Sequence, residues 1–179
     1  MGYESPMPVQ EEVIPFLLGD DNDVIALAQT GTGKTAAFGL PILQKIDVTT
    51  YHPQALVLCP TRELCLQIAD DLNDYSKYID NLKVLPVYGG SSIESQIKTL
   101  KRGVHVVVAT PGRLLDLMNR KTVDLSLVKN VIMDEADEML NMGFTDSINA
   151  ILAEVPENRN MLLFSPPCRK RSPTSRRST

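Results

Sequence analysis

The sequence predicts an α/β fold built on a doubly wound, mostly parallel β-sheet. Six short segments rich in β-branched residues alternate with helical stretches along the chain. Each segment is apolar nearly throughout, which is typical of parallel strands that helices cover on both faces. Strands and helices that alternate in this way form a sheet with right-handed crossover connections. The length of 179 residues suits one domain with a full hydrophobic core.

The elements follow one another without an internal repeat or a linker before Ser165. The predicted strands cover residues 24–28, 55–59, 83–87, 105–109, 130–133 and 161–164. The predicted helices begin near Lys34, Arg62, Ser92, Arg113 and Phe144. Several of these helices follow a Thr, Ser or Pro suited to a first turn. Ligands bind such sheets beyond the carboxyl ends of the strands, so we expect functional residues directly after each strand. His105 has no candidate partner nearby, and we expect it to be structural.

The composition is that of a globular protein, with 43% hydrophobic and 22% charged residues. No apolar run is long enough to span a bilayer, and no basic and apolar leader opens the chain. We therefore expect a soluble, cytoplasmic protein with no membrane partner. The cysteines (Cys59, Cys65, Cys168) lack CxxC spacing, which argues against a disulfide framework or a zinc site. We interpret them as buried or incidental thiols.

The net charge of −4 hides an uneven distribution. Five of the 18 basic residues follow Pro167, so the body carries 13 basic against 22 acidic residues, a net charge of −9. An acidic body argues against a domain that grips nucleic acid by bulk charge. Any such contact must come from a local patch or from sequence outside this chain.

A glycine-rich turn directly after the first predicted strand fits the P-loop pattern. It reads Ala-Gln-Thr-Gly-Thr-Gly-Lys-Thr over residues 28–35. Glycines let backbone N–H groups surround phosphate oxygens, and the helix start adds a favourable dipole. Lys34 would reach the β- and γ-phosphates, and the Thr35 hydroxyl would ligate Mg²⁺. A glycine-rich turn without a ligand is the alternative, but strand, turn, Lys-Thr and helix fall in the order that phosphate binding requires.

A second half of the site follows the apolar strand at 131–133, where the chain reads Asp-Glu-Ala-Asp. Asp134 would hold Mg²⁺, partly through water, and Glu135 would polarise the attacking water. With Lys34 these two acids are the predicted catalytic residues. The alternative is a solvated helix N-terminus, where acidic residues are also favoured by the dipole.

The tetrad at 134–137 resembles the signature of the DEAD-box RNA helicases, and other stretches of residues 1–165 resemble motifs of that family in the same order. The resemblance implies a RecA-like P-loop NTPase domain with ATP and Mg²⁺ as cofactors. Residues 2–10 resemble the Q motif, in which Gln10 would read the adenine edge as donor and acceptor together. Met7 departs from the Ser or Thr usual there, and the chain has no room upstream for the family's adenine-stacking aromatic residue. The nucleotide-binding residues so implied are Gln10, Thr30, Gly31, Thr32, Gly33, Lys34 and Thr35.

Three further turns, each after a predicted strand, resemble the RNA-backbone motifs of that family: residues 60–64, Gly89-Gly90 and residues 110–113. Arg pairs with phosphate, helix-start N–H groups donate to phosphate oxygens, and glycine allows close approach. No base reader is present in these turns, so we expect recognition of backbone and 2′-OH with little sequence preference. Taken singly, Thr-Pro-Gly-Arg is also an ordinary start of a helix, and Gly-Gly an ordinary turn. The RNA-binding residues so implied are Thr61, Arg62, Gly90, Thr110 and Arg113.

After Ser165 the chain departs from the family pattern. The family continues as Ser-Ala-Thr, a motif that couples hydrolysis to closure on RNA, and the resemblance gives Ser165 and Asp137 this interdomain role. Residues 166–179 instead form a Pro-, Ser- and Arg-rich basic tail, which we expect to be disordered. One base deleted from a coding sequence for the family's continuation reproduces these residues, so we interpret the tail as frameshifted. The rival interpretation is an evolved Arg/Ser tail that binds RNA electrostatically or is phosphorylated.

We expect the second RecA-like domain of the family, whose arginines stabilise charge on the γ-phosphate, to be missing from this chain. Such an arginine is worth about 10³ to 10⁵ in rate. We therefore expect a monomer that binds ATP, Mg²⁺ and RNA weakly, hydrolyses ATP barely and does not unwind duplexes. Two other classes stay open. One is a P-loop ATPase acting on DNA, which the Gln10 segment and Thr-Pro-Gly-Arg disfavour; the other is a non-catalytic nucleotide- or RNA-binding fragment.

Overall fold

The computed structural model describes residues 33–165, the backbone of Val24–Leu27, and Ser5, Gln10, Glu11 and Ile14. Thr30, Gly31, Thr32 and the tail at 166–179 lie outside the described residues, and what the sequence predicts of them stays a prediction. The strands are β1 (Val24–Leu27), β2 (Ala55–Leu58), β3 (Val84–Val87), β4 (Val106–Ala109), β5 (Asn130–Asp134) and β6 (Asn160–Ser165). The helices of this part of the chain are α1 (Lys34–Lys45), α2 (Arg62–Tyr75), α3 (Ile93–Arg102), α4 (Pro111–Asn119), α5 (Ala136–Asn141) and α6 (Thr145–Glu154).

The six strands form one sheet in the order β1-β6-β5-β2-β4-β3. Every paired neighbour in it is parallel. The predicted α/β class is therefore confirmed, and each predicted strand is present with its ends shifted by no more than one residue. The boundaries agree because each strand is a short apolar run, and the central strands β2 and β4 are buried throughout.

The helices begin where the sequence offers a suitable first turn. Thr61 Oγ1 accepts the Leu64 N–H at 3.2 Å, and Ser92 Oγ accepts the Ser95 N–H at 3.3 Å, so both hydroxyls cap a helix. Helix α4 begins at Pro111, ahead of the predicted start, because the fixed φ of proline suits the first helical position. The short helix α5 adds one element to those predicted.

Each face of the sheet carries its own hydrophobic cluster. On one face Phe38 of α1 and Leu72 of α2 pack with Phe164 of β6, and the two phenylalanine rings lie 5.5 Å apart between centroids. On the other face Leu114 of α4 and Ile151 of α6 cover the sheet. None of the helices in the described ranges is both long and apolar enough to cross a membrane.

The parallel arrangement brings the carboxyl ends of all six strands to one edge. Of the nucleotide residues predicted from sequence, Gly33, Lys34 and Thr35 lie on the half formed by β1, β6 and β5, and the predicted RNA residues follow β2, β4 and β3. From one side to the other this edge carries the start of α1, Ser165, Asp134, Thr61, Thr110 and the Gly89-Gly90 turn. Strand order therefore separates the two groups of residues and lets them meet between β5 and β2.

His105 is fully buried immediately before β4. Its Nδ1 accepts the Lys83 N–H at 3.0 Å, and its Nε2 lies 3.1 Å from the Val48 carbonyl oxygen. Because Nδ1 accepts, Nε2 carries the proton and donates it to Val48. The ring also stacks near Tyr51, with the two centroids 5.2 Å apart. His105 therefore joins two loops below the sheet, which fits the structural role expected of it.

We predict that His105→Leu lowers the free energy of unfolding by about 1 to 3 kcal/mol, because it leaves the part-buried Lys83 N–H and Val48 carbonyl without their side-chain partner. Urea denaturation followed by circular dichroism measures the change. His52→Leu is the matched control, since His52 is exposed and its replacement should have little effect. Equal losses in the two variants would contradict the assigned role of the His105 hydrogen bonds.

Candidate functional site

Lys34 and Asp134 form a buried ion pair at the carboxyl edge of the sheet. Lys34 Nζ lies 2.6 Å from Asp134 Oδ1, and the two side chains are 8% and 1% exposed. Lys34 is the first residue of α1 and Asp134 the last of β5, so the pair joins the predicted phosphate loop to the predicted metal site. Asp134 Oδ2 is buried without a hydrogen-bond partner among the described residues. An acceptor of this kind is rare in a folded protein and fits a site for a cation or its water.

The backbone entering α1 is held by the Q-motif segment. Gly33 has φ 71°, in the left-handed region that favours glycine. Gln10 is 4% exposed, and its Nε2 donates to the Gly33 carbonyl at 3.2 Å. The residue predicted to read the base is therefore in contact with the end of the predicted phosphate loop, directly before α1.

Glu135 occupies a strained position beside the ion pair. Its backbone has φ 52° and ψ 50°, and its N–H donates to Asp134 Oδ1 at 2.9 Å. A left-handed conformation in a non-glycine residue costs on the order of 1 kcal/mol or more and is concentrated at functional sites. Burial, followed by the adjacent Asp134 carboxylate, raises the pKa of Glu135, while the Lys34 ammonium opposes the rise.

Thr35 is partly exposed in the first turn of α1, and its hydroxyl donates to the Asp71 carboxylate of α2. Burial and the nearby Asp74 carboxylate raise the pKa of Asp71, and the bond from Thr35 opposes that rise. A hydroxyl that donates its proton keeps its oxygen lone pairs. Thr35 therefore retains the capacity to ligate a metal ion while Asp71 fixes its proton.

Asp137 and Ser165, the two residues predicted to couple domains, are in contact. The Asp137 N–H donates to Ser165 Oγ at 3.3 Å, which links the start of α5 to the end of β6. Asp137 Oδ1 is buried and has no hydrogen-bond partner within the described ranges. The contact joins the ends of β5 and β6 at the edge that also carries the ion pair.

The predicted RNA residues lie along the other half of the edge. The Arg62 guanidinium lies 5.1 Å from the centroid of the Tyr88 ring. Gly90 has φ 83°, and a Cβ atom placed on it would lie 3.5 Å from Arg62 Nη1. Thr110 is the N-cap residue of α4 and makes no capping bond through its side chain. The three predicted RNA turns therefore form one continuous surface.

Arg113 is bound to the neighbouring turn. Its Nη1 donates to the Ser91 carbonyl at 3.0 Å and to Gln96 Oε1 at 3.1 Å. The guanidinium is partly buried. The side chain predicted to pair with phosphate is thus also a contact between the start of α4 and the Gly89-Gly90 turn.

The sequence interpretation missed four residues that contact predicted site residues: Asp71, Tyr88, Ser91 and Gln96. One signal could have identified Gln96, because it is a polar residue on an otherwise apolar helix face. That face also carries Ile93, Ile97 and Leu100. Asp71 and Tyr88 carry no such signal. Asp71 lies in a pattern typical of a solvated helix face, and Tyr88 lies directly after a strand.

A comparison with known proteins identifies the family. The family model for DEAD/DEAH box helicases matches residues 7–169. The chain belongs to the DEAD/DEAH box helicase family. It is 55% identical over 165 residues to the ATP-dependent RNA helicase DeaD of Mycobacterium tuberculosis, a match that covers 92% of this chain and 29% of that protein. It is 52% identical over 165 residues to the DEAD-box ATP-dependent RNA helicase CshA of Bacillus anthracis, covering 92% of this chain and 31% of that protein. The chain thus spans less than a third of the length of these curated relatives.

Solved DEAD-box structures have the same fold as this member of the family. A DEAD box protein from the hyperthermophile Methanococcus jannaschii superposes with a TM-score of 0.87 at 44% identity, covering 94% of this chain and 46% of that chain. A hypothetical ATP-dependent RNA helicase from Sulfolobus tokodaii gives a TM-score of 0.81 at 45% identity, covering 92% and 47%. These matches confirm the RecA-like fold implied by the motifs.

We predict that Glu135→Gln stabilises this DEAD-box chain at neutral pH. The pKa of Glu135 is raised, so the folded state binds its proton more tightly than the unfolded chain does. Its contribution to stability is complete below the ordinary Glu pKa and is lost as the pH rises through the raised pKa. Removing the charge should therefore increase the free energy of unfolding at pH 7 by about 0.5 kcal/mol, after allowance for solvent screening.

The two proteins should have equal stability near pH 4, where the wild-type carboxyl is protonated, and diverge at higher pH. Urea denaturation at several pH values measures the difference. Glu138→Gln is the control, because Glu138 is an exposed acid in the same short helix. If the difference in free energy of unfolding between Glu135→Gln and wild type does not change with pH, the charge of Glu135 is not the cause of that difference.

Proposed function

We propose that this chain is the ATP-binding domain of an ATP-dependent RNA helicase, which binds ATP with Mg²⁺ at the Lys34 and Asp134 edge and RNA backbone at the adjoining edge. Duplex unwinding driven by ATP hydrolysis in the cytoplasm is the proposed activity of the helicase to which the domain contributes. The observation that carries the proposal is the buried Lys34–Asp134 pair with an unsatisfied Asp134 oxygen, in a chain of the DEAD/DEAH family.

The phosphate part of the proposed site depends on Lys34. Its ammonium is the positive group nearest the start of α1, and phosphate oxygens would compete with Asp134 for it. Gly33, with Thr30, Gly31 and Thr32 as sequence predicts, would surround the phosphates with backbone N–H groups. The N-terminus of α1 adds a favourable dipole for the same negative charge.

The metal part of the proposed site depends on Asp134 and Thr35. The unsatisfied Asp134 Oδ2 and the Thr35 hydroxyl are oxygen donors, which Mg²⁺ prefers. Mg²⁺ usually keeps several waters and takes only one or two protein ligands beside phosphates, so two donors are sufficient. The ion would neutralise charge on the phosphate oxygens, and the residues present fit it.

Glu135 is the proposed group that polarises the attacking water. Its raised pKa makes it a better proton acceptor than an ordinary carboxylate. The strained backbone fixes the position of this residue next to Asp134.

Gln10 is the proposed adenine reader. An amide offers a donor and an acceptor side by side, which complements the adenine edge and not the guanine edge. Its contact with Gly33 supports this role, because the same side chain then lies close to both base and phosphates.

The proposed RNA surface consists of Thr61, Arg62, Gly90, Thr110 and Arg113. Arg62 is exposed and offers a charged donor, while Gly90 permits close approach of a backbone. The surface carries no set of side chains arranged to read base edges, which supports binding with little sequence preference. Ser165 lies on the side of Asp134 away from this surface, in contact with Asp137, and we propose that these two residues transmit closure onto a second RecA-like domain.

We predict that Lys34→Gln lowers affinity for ADP with Mg²⁺ by about tenfold to 100-fold, because a charge-assisted bond to phosphate is lost. Binding of a fluorescent ADP analogue measures the affinity. Lys34→Gln alone leaves Asp134 as a buried unpaired charge, so the double variant Lys34→Gln/Asp134→Asn is compared with Asp134→Asn, which isolates the loss of Lys34 in a site without the proposed Mg²⁺ carboxylate. Lys45→Gln, at the exposed far end of the same helix, is the control. If wild type shows no nucleotide binding at millimolar concentration, the proposal is wrong.

We also predict that Gln10→Ala reduces the preference for ADP over GDP. The wild-type chain should bind ADP about tenfold or more tightly than GDP, since a site that hydrogen-bonds one base edge leaves polar groups unpaired against another. Competition of unlabelled ADP and GDP against the same fluorescent analogue gives both affinities. If the ratio of ADP affinity to GDP affinity is unchanged in Gln10→Ala, another residue selects the base.

A further inference from the structure

The Gly89-Gly90 turn is held from beneath by one buried amide. Gln96 of α3 is 6% exposed. Its Nε2 donates to the Tyr88 carbonyl at 3.2 Å and to Ser91 Oγ at 2.8 Å, which lie on either side of the glycine pair. Its Oε1 accepts from Arg113 Nη1 at 3.1 Å. One side chain therefore spans the turn and connects it to the start of α4.

Arg113 completes the same network. Its Nη1 donates to the Ser91 carbonyl as well as to Gln96, so both protons of that nitrogen are used inside the protein. We define the Gln96 brace as Gln96 and Arg113 with their hydrogen bonds to Tyr88 and Ser91. The brace touches the inner side of the turn only.

The outer side of the turn carries the proposed RNA contacts. Gly90 lies beside Arg62, and Arg62 rests over the ring of Tyr88. The position of Tyr88 thus influences both the turn and the arginine. Any movement of the turn away from Gln96 would displace Gly90 and Arg62 together.

Packing alone does not require a glutamine at this position. Ile93, Ile97 and Leu100 pack against the hydrophobic cluster from the same helix. An apolar side chain of similar size would suit that face, whereas the hydrogen bonds of the amide reach the turn and Arg113. The hydrogen bonds of Gln96 therefore stabilise the conformation of the turn more than the packing of the hydrophobic cluster.

We propose that Gln96 is a positioning residue for RNA binding, which holds the Gly89-Gly90 turn in the conformation that receives the RNA backbone. The inference rests on the RNA surface proposed above. A turn that is fixed before binding loses less conformational entropy when RNA arrives, so affinity increases without a contact from Gln96 itself. Buried beneath the turn, Gln96 acts through Gly90 and Arg62.

The test is the affinity of Gln96→Leu for a single-stranded oligouridylate, measured by fluorescence anisotropy over a series of salt concentrations, with ADP affinity measured on the same sample. We expect RNA affinity to fall about tenfold, since the hydrogen bonds that fix the turn are lost. ADP affinity should not change. The slope of log affinity against log salt should also stay constant, because no phosphate contact is removed.

Two variants are matched controls. Arg62→Gln removes a proposed phosphate contact, so its salt slope should become shallower by about 0.7 for a single strand. Lys98→Gln removes an exposed charge from the same helix as Gln96 and should leave RNA affinity nearly unchanged. The slope of log affinity against log salt therefore distinguishes a positioning residue, such as Gln96, from a residue that binds phosphate, such as Arg62.

Gln96→Glu provides a second, isosteric variant. Its carboxylate can still accept from Arg113 but cannot donate to the Tyr88 carbonyl, so we expect weaker RNA binding here too. Should Gln96→Leu fail to fold, this variant decides the question. Faster hydrogen exchange at the Gly89 and Gly90 amides, with unchanged exchange in the sheet, is the expected accompanying result.

The outcomes separate the inference from the proposed function. Wild-type RNA affinity in both Gln96 variants overturns the inference and leaves the proposed function intact. A parallel loss of ADP and RNA binding also overturns it, since Gln96 would then support the whole fold. If the wild-type chain binds ADP but no RNA at any salt concentration, the proposed RNA surface fails and the inference fails with it.

Discussion

The ion pair between Lys34 and Asp134 is the interaction on which the functional edge depends. Two charges removed from water are stable only when each remains close to the other. The start of α1 and the end of β5 must therefore stay close together. Strand β6, which pairs with both β1 and β5, fixes their relative position. Asp134 Oδ2 has no hydrogen-bond partner among the described residues, so these residues do not fully satisfy the pair. A site of this kind is arranged for a ligand more than for stability.

Strand order explains how the two proposed binding surfaces share one edge. Strands β5 and β2 are neighbours, although a long stretch of sequence separates them. Asp134 and the turn that carries Thr61 consequently lie side by side. Cys59 shows how close they are: the hydrogen bond shared with Cys65 and burial raise the pKa of its thiol, and the carboxylates of Asp134 and Glu135 raise it further. The proposed nucleotide and RNA residues therefore meet at this junction.

Several polar side chains at this edge have partners that their motifs do not imply. Thr35 donates to Asp71, Arg113 is held by Ser91 and Gln96, and Gln10 contacts Gly33. In each case a residue assigned to a ligand also bonds to a neighbouring element. Polar groups near a buried edge lose water and need protein partners, so a binding residue is commonly held in place before its ligand arrives. The motifs therefore describe only part of what these side chains do.

The sequence by itself determined the α/β class, the six strands, the family and the identity of the residues at the strand ends, because apolar runs and short motifs are local patterns. It did not determine that Asp134 lies between Ser165 and Thr61, since strand order arises from packing between distant segments. Only the tertiary structure decided that Gln96 reaches the Gly89-Gly90 turn and that Thr35 meets Asp71. These contacts join separate helices and turns, and a side-chain hydrogen bond depends on positions within a few tenths of an ångström, which no spacing along the chain specifies.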